Sequence, residues 1–478
     1  MNSIMKNLLK ISRVAILGIA LLLSSCSDYL DINEDPNNPT DAPITGLMSS
    51  VTFETSQAVF ALGNTTSFYV QYLASPNPGS STDVQEPVRY DNTWFTFYDM
   101  MTDLAVLQQK AEEEGATEYL GAAKILMALN LATVVDVWGS VPYSEAFFVE
   151  TLTPVYDGDK ELYNEVIRLL DEGISNIQAE GSTQEIGEDD FIYGGDTQKW
   201  VRLGYMLKAR YLNHLSKQPS YAPDDVLAAV DQAMIANEDD AQVSYYEEEI
   251  NPWADVAIDN DNLLLGGWLS EQLIKHLDGT TYGVFDPRME AFTDTTDAGI
   301  YKGTRNGAGR GDAPEQGARS VITTNTFYAQ RTSPILIATF SEQKFIEAEA
   351  AFRDGQTTRA YEAYLAGIEA HMDKMGVEES AKMDYMTDPV VAVGAGELTL
   401  DLIFKEKYTA MYLHPEAWVD ARRYDYQYQD MEVPANLNTD LNGQFIRRLV
   451  YPNSETQRNS KNVPEVTLLD RIFWDTGS

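Results

Sequence analysis

Apolar positions recur at helical spacing along most of this chain. Over 117–137, Tyr119, Ala122, Ala123, Leu126, Leu129 and Asn130 follow the i, i+3, i+4, i+7 rule of one helix face. The same period predicts helices over 45–62, 65–74, 93–114, 160–179, 197–216 and 224–236. Residues 238–340 lose it: Gly, Asp, Asn and Thr become frequent, and only 268–278 predicts a firm helix. Within 294–327, Gly299, Gly303, Gly307, Gly309, Gly311 and Gly317 predict loop with short strands. Long irregular stretches in compact domains are usually functional.

Helical spacing returns at 341. Ser341 is placed to cap a helix carrying Phe345, Ala348 and Phe352 on one face, closed by Gly355. A second follows with Tyr361, Leu365, Ile368 and Met372, ending at Gly376. Two helices joined by a Gly turn have the dimensions of a tetratricopeptide unit. The pairs 93–114 with 117–137 and 160–179 with 197–216 predict similar units, without a strict sequence repeat. The expected fold class is therefore all-α: tetratricopeptide-like helix pairs forming a scaffold, with long irregular loops and minor short strands. The last 60 residues predict loops and short apolar runs that wrap back onto the body.

The N-terminus has a different pattern. Lys6, Lys10 and Arg13 precede an apolar core from Val14 to Leu23, then Ser24, Ser25 and Cys26, the only cysteine. This is the layout of a secretory signal, and its apolar run is about half the roughly 20 residues that span a bilayer. Residues 27–43, acidic and rich in Asn and Pro, predict a tether. The expected organisation is a signal peptide at 1–25, a lipidated Cys26 and tether over 26–43, and one domain over 44–478.

Charge narrows the partners. Losing residues 1–25 removes three basic and no acidic residues, taking the net charge from −40 to −43. So acidic a body repels phosphate backbones, which argues against nucleic acid. It also repels anionic membranes, so attachment must come from lipid, and several acyl chains anchor far better than one. One cysteine allows no internal disulfide, leaving stability to the 44% hydrophobic content.

Chemical motifs are sparse. No His-Glu-x-x-His or Gly-x-Ser-x-Gly motif occurs, and His214, His276, His371 and His414 are scattered. Asp259-Asn260-Asp261-Asn262 invites a calcium reading, but EF-hand spacing fails at Leu263, where an oxygen ligand belongs, and at Leu264, where Gly belongs. No metal or cofactor is expected. Gly307-Ala308-Gly309-Arg310-Gly311 lacks nucleotide-loop spacing, and Arg310-Gly311-Asp312 is read as chance.

Several local patterns together resemble one family, the SusD/RagB-like nutrient-binding outer-membrane lipoproteins. Cys26 after Leu23-Ser24-Ser25 resembles a lipobox, followed by Leu30-Asp31-Ile32-Asn33-Glu34-Asp35-Pro36-Asn37. Asp136-Val137-Trp138-Gly139-Ser140-Val141-Pro142-Tyr143 resembles the helix-ending motif of the family, with Trp138 where Tyr or Phe is common. Lys199-Trp200 with Leu207 to Arg210, Asp286-Pro287-Arg288-Met289, Tyr301-Lys302-Gly303, Glu342 to Ala350, Ile403 to Lys407, Glu416 to Arg423 and Tyr451-Pro452-Asn453 follow in order. The resemblance implies an all-helical body whose loops carry a ligand site. It also implies a lipid-anchored position on the outer membrane facing the exterior, with a multiply acylated, palmitate-bearing cysteine. The implied partner is a SusC-like TonB-dependent β-barrel transporter, for which the protein captures oligomeric nutrient without catalysis. Glycan is the first expectation, peptide the alternative, and a surface scaffold or adhesin the third reading.

Within that frame Asp136, Pro142, Tyr143, Glu406, Trp418, Asp420, Arg422 and Arg423 are expected to be structural, the last four beside Glu406 and Lys407 in a buried charged network. Lys208 and Arg210 are expected to pair with acids on neighbouring helices. Ligand contacts are expected from aromatic side chains aimed by loops, because a sugar's C–H face packs on an aromatic ring. The candidates are Tyr69, Tyr72, Trp94, Tyr98, Trp253, Trp268 and Tyr282.

Overall fold

A computed structural model describes residues 42–148, 151–262, 266–311 and 316–477. Cys26, residues 1–41, and Leu263 and Leu264 lie outside the described residues. Among the described residues are fifteen α-helices and one two-stranded sheet, so the all-α expectation holds. Leu47 onward gathers into one compact unit.

The scaffold begins with α1 (Ile44–Tyr69), α2 (Asp91–Glu114), α3 (Thr117–Trp138), α4 (Asp159–Ile177) and α5 (Thr197–His214). Gly115 (φ 72) ends α2, and two residues link it to α3. Helix α3 is long and apolar enough to cross a membrane, but here it is wrapped by the fold and serves as the core helix. It packs most extensively on α4, and glycine makes that approach possible. A Cβ at Gly121 would lie 2.6 Å from the Gly173 carbonyl oxygen, and one at Gly173 2.8 Å from that of Gly121.

Next come α6 (Pro223–Val230), β1 (Ala241–Val243), α7 (Pro252–Asp261), α8 (Glu271–Leu277) and α9 (Met289–Phe292). Then follow β2 (Ile335–Ala338), antiparallel to β1, and the hairpin α10 (Phe340–Arg353) with α11 (Thr357–Met375). The chain continues with α12 (Glu379–Thr387), α13 (Leu400–Ala410), α14 (Glu416–Arg423) and α15 (Asn453–Arg458).

Four expectations need correction. Residues 45–62 and 65–74 are not two helices: α1 runs through Gly63, which is small because the Leu413 carbonyl crosses there. The helix expected over 224–236 stops at Val230. The 238–340 stretch contains α7 as well as α8, because Asn251 accepts the Trp253 amide (2.7 Å) and Pro252 occupies the first turn. Thr339, not Ser341, caps α10, while the Ser341 hydroxyl donates to the Gly367 carbonyl (2.8 Å).

Charged groups cross the core in pairs. Arg423 bonds Glu349 and Asp420, whose other oxygen pairs with Lys407 at 2.8 Å. Arg288 bridges Asp286 and Glu406, and Lys405 reaches Glu406 at 2.6 Å. Arg210 meets Glu342 in the same interior, while Lys208 meets Asp171 at the surface. Among the described residues Arg422 forms no such ion pair. Its guanidinium stacks on Trp418, 3.9 Å from the ring centroid, and donates to backbone carbonyls of Asp136 and Arg447, so burial lowers its pKa. Gly139, with φ 74, ends α3, while the Pro142 carbonyl accepts the Tyr98 hydroxyl and the Tyr143 amide binds Asp157.

Asp136 is more than a helix terminator. Burial pushes its pKa up to about 6, and its carboxylate accepts the Trp474 indole (2.8 Å) and the Tyr163 hydroxyl. His214 lies between Asp136 and Glu416, with Tyr163 at Nδ1 (2.8 Å). These three side chains are close enough to hold an ion, but their facing atoms are engaged with one another. The C-terminal segment seals this end. Trp474 and Asp475 are fully buried, and Asp475 takes Lys217, Arg447 and Arg471.

Candidate functional site

The irregular middle is ordered by a backbone ladder. Ser270 N–H donates to Tyr72, Thr304 N–H to Leu269, and Ser320 N–H to Lys302, at 2.8–2.9 Å. Gly303 lets two segments meet: a Cβ there would lie 2.5 Å from the Glu271 Cα and the Ser270 carbonyl. Asn306 ties this ladder to the 75–85 loop. Its amide donates to Leu73 (2.8 Å) and Asp83 (2.6 Å), and its oxygen accepts from Ser270 (2.6 Å). Asp83 also receives the Gly307 and Ser75 amides, yet burial without a cation raises its pKa to about 6.

On this frame sits a cleft of about 810 Å³, walled by Glu271, Lys275, Asp278, Ile300, Tyr301 and Arg319 among others. A hollow of about 290 Å³ continues it through Lys275 and Arg305 to Gln71, Asn306, Asp430 and Glu432. Gln71 and Asp430 both hold positive φ (59° and 58°), a strained backbone of the sort that collects at binding sites.

Its aromatic element is Tyr301, whose ring lies 6.1 Å from that of Phe285, tilted 35°. Phe285 is 43% exposed and Ile300 53%, so the platform is open to solvent. Burial, then the carboxylates of Glu290 and Asp294, raise the Tyr301 pKa and keep its hydroxyl a donor. Lys275 pairs with Glu271 (2.6 Å) and Arg305 with Glu432 (2.9 Å). Arg319 is held by the carbonyls of Ala318 and Arg310, and neither it nor Lys302 meets a carboxylate among the described residues. An apolar platform ringed by amides, carboxylates and cations suits a polyhydroxylated ligand: the ring covers C–H surface while the polar groups bond hydroxyls.

The aromatic candidates from sequence lie elsewhere, and five are core. Tyr69 packs on Trp418 (5.1 Å) and Tyr72 on Tyr408 (4.6 Å). Trp94 stacks on Tyr98 (4.7 Å) with Trp138 at its edge, and Trp253 meets Phe60 (4.9 Å). Trp268 donates to Asn260 (3.0 Å) from within the ladder. Tyr98 and Tyr282 are half-buried, Tyr282 against His276 (4.7 Å). Phe285 and Tyr301, which face the cleft region, were not among the sequence candidates; for Tyr301 the available signal is an aromatic between Gly299 and Gly303 in a stretch without helical period.

The chain resembles known proteins over nearly all its described length. A SusD homologue from Flavobacterium johnsoniae described as chitin-binding shares 21% identity with a TM-score of 0.77, covering 91% of this chain and 99% of its own. A SusD/RagB family protein from Bacteroides thetaiotaomicron shares 24% identity with a TM-score of 0.74 (92% and 100% covered). A SusD homologue from Bacteroides fragilis shares 19% with a TM-score of 0.76 (91% and 100%). Among curated proteins none matches. Residues 36–452 match the SusD-like family described as starch-binding and associating with the outer membrane, and the chain belongs to that SusD-like family.

Proposed function

We propose that this protein captures an oligosaccharide in the Tyr301 cleft at the outer surface of the outer membrane and passes it to a SusC-like TonB-dependent transporter. The observation that carries the reading is the solvent-open Phe285–Tyr301 platform, set on a rigid ladder and ringed by hydrogen-bonding side chains. Chitin binding by a similarly folded protein supports carbohydrate as the ligand class. Residues 1–25 serve as an export signal, Cys26 carries the lipid, and 27–43 tether the body. The protein binds without catalysis, and transfer requires modest affinity, because a tightly held ligand is not released.

Titration calorimetry of the full chain against neutral oligosaccharides and mixed peptides, at low and high salt, tests this. Saccharide binding that is insensitive to salt and weakened by Tyr301→Ala is the expected result. Salt-sensitive peptide binding in its place overturns it and favours a peptide receptor, consistent with the net charge of −40.

A further inference from the structure

Behind the Phe285–Tyr301 pair lies a second cleft, of about 640 Å³, which Phe285 itself lines. Its far wall carries Phe327 and Tyr385, and Asp294 fixes the rim by accepting from Thr323 (2.8 Å) and Asn325 (3.0 Å). The two clefts thus share one exposed ring pair, with Tyr301 facing one and Phe285 the other. Their charges differ. The Tyr301 cleft sets Lys275, Lys302, Arg305 and Arg319 against Glu271, Asp278 and Asp297, whereas the second carries Glu290, Glu378, Asp384 and Asp388 and, among the described residues, no Lys or Arg.

We propose that the ligand track crosses the Phe285–Tyr301 ridge into the second cleft, so that the protein selects an oligosaccharide longer than the Tyr301 cleft holds, free of acidic groups over its far half. This rests on the Tyr301 cleft being the binding site. A chain seated on Tyr301 meets Phe285 next, and Phe327 offers the following apolar surface. The four carboxylates, three of them exposed, put a negative field across this cleft that is strongest at low salt. A carboxylate-bearing sugar is repelled there, while neutral hydroxyl and acetamido groups donate hydrogen bonds to the same oxygens.

The test is the affinity of the full chain, in mild detergent, for N-acetylglucosamine oligomers of two, four and six units. A six-unit oligomer oxidised at C6 to carboxylates is measured alongside. Affinity should rise about tenfold or more from two to six units, each tenfold being one decade in Kd. Phe327→Ala and Phe327→Leu should remove the rise in that order of severity and leave the two-unit affinity unchanged. The oxidised oligomer should show no rise. A flat length dependence, or a rise indifferent to Phe327, with Tyr301→Ala still weakening every oligomer, overturns the two-cleft track and leaves the Tyr301 site standing. An oxidised oligomer that gains as much as the neutral one overturns the exclusion of acidic groups. Binding indifferent to Tyr301→Ala, or no binding by the unaltered chain, removes the site reading and this proposal together.

Discussion

Arg423 grips Glu349 through both terminal guanidinium nitrogens, at 2.9 and 2.7 Å, with neither side chain open to solvent. The pair joins α14 to α10, and Arg423 also holds Asp420 on its own helix. Removing one partner strands a buried charge, so Arg423→Met should cost about 3–5 kcal/mol in urea unfolding. Glu349→Met combined with Arg423→Met should recover much of that. A double variant as unstable as the single one would show that packing, not the stranded charge, sets the cost.

Acid should act through His276. Its Nε2 donates to the Lys405 carbonyl (3.1 Å), and burial, then Lys405, lower its pKa to about 3. The folded state therefore resists protonation, and this contribution to stability is complete above about pH 6.5 and lost as pH falls from there toward 3. At pH 5 the loss amounts to about 2 kcal/mol relative to neutrality. His276→Gln lacks it, so the cost of that substitution should shrink by about this amount between pH 7.5 and 5.0 in denaturant melts. A pH-independent cost would contradict the neutral buried imidazole.

At the close crossing of α3 and α4, Gly121→Leu inserts a side chain where the Gly173 carbonyl stands. Overpacking of this kind costs about 1–3 kcal/mol or more. The variant should melt earlier, with unchanged far-ultraviolet circular dichroism below its transition.

Gly303→Ala tests the frame of the cleft. The added methyl meets the Ser270–Glu271 backbone, so the 301–305 wall must move away from α8. Saccharide affinity should fall by about tenfold, as for loss of the Tyr301 ring itself, because both displace the same platform. Tyr301→Ala should leave the melting temperature unchanged, whereas Gly303→Ala should lower it.

Cys26→Ser should abolish palmitate labelling and release the protein from the membrane fraction. Continued labelling would place the lipid elsewhere.

The scaffold was legible in sequence where one side of a helix carries the burial, as along Tyr163, Val166 and Leu170 of α4. The charged signature was legible in part: Asp420, Arg423 and Lys407 share one buried network, whereas Glu406 pairs with Arg288 and Lys405, and Arg422 with backbone carbonyls. The rings of the proposed cleft were not. Trp94, Trp253 and Trp268 are large, and large aromatics bury the most area and so tend to end in the core. Tyr301 and Phe285 are placed where Gly303 permits a backbone contact with Glu271, 32 residues away in sequence, which no local pattern encodes. Gly63 misled for a related reason: its small size serves a distant carbonyl, not a helix end.

Trp474 and Asp475 finish the wall around Asp136, 338 residues upstream of Trp474. Asp136, His214 and Lys217 thus take partners from a segment 258 or more residues further along the chain, so the closing of this wall waits on long-range contacts. Contacts of such span pay their loop-closure entropy before they return any bonding energy, so this end of the core should be among the last to close in refolding.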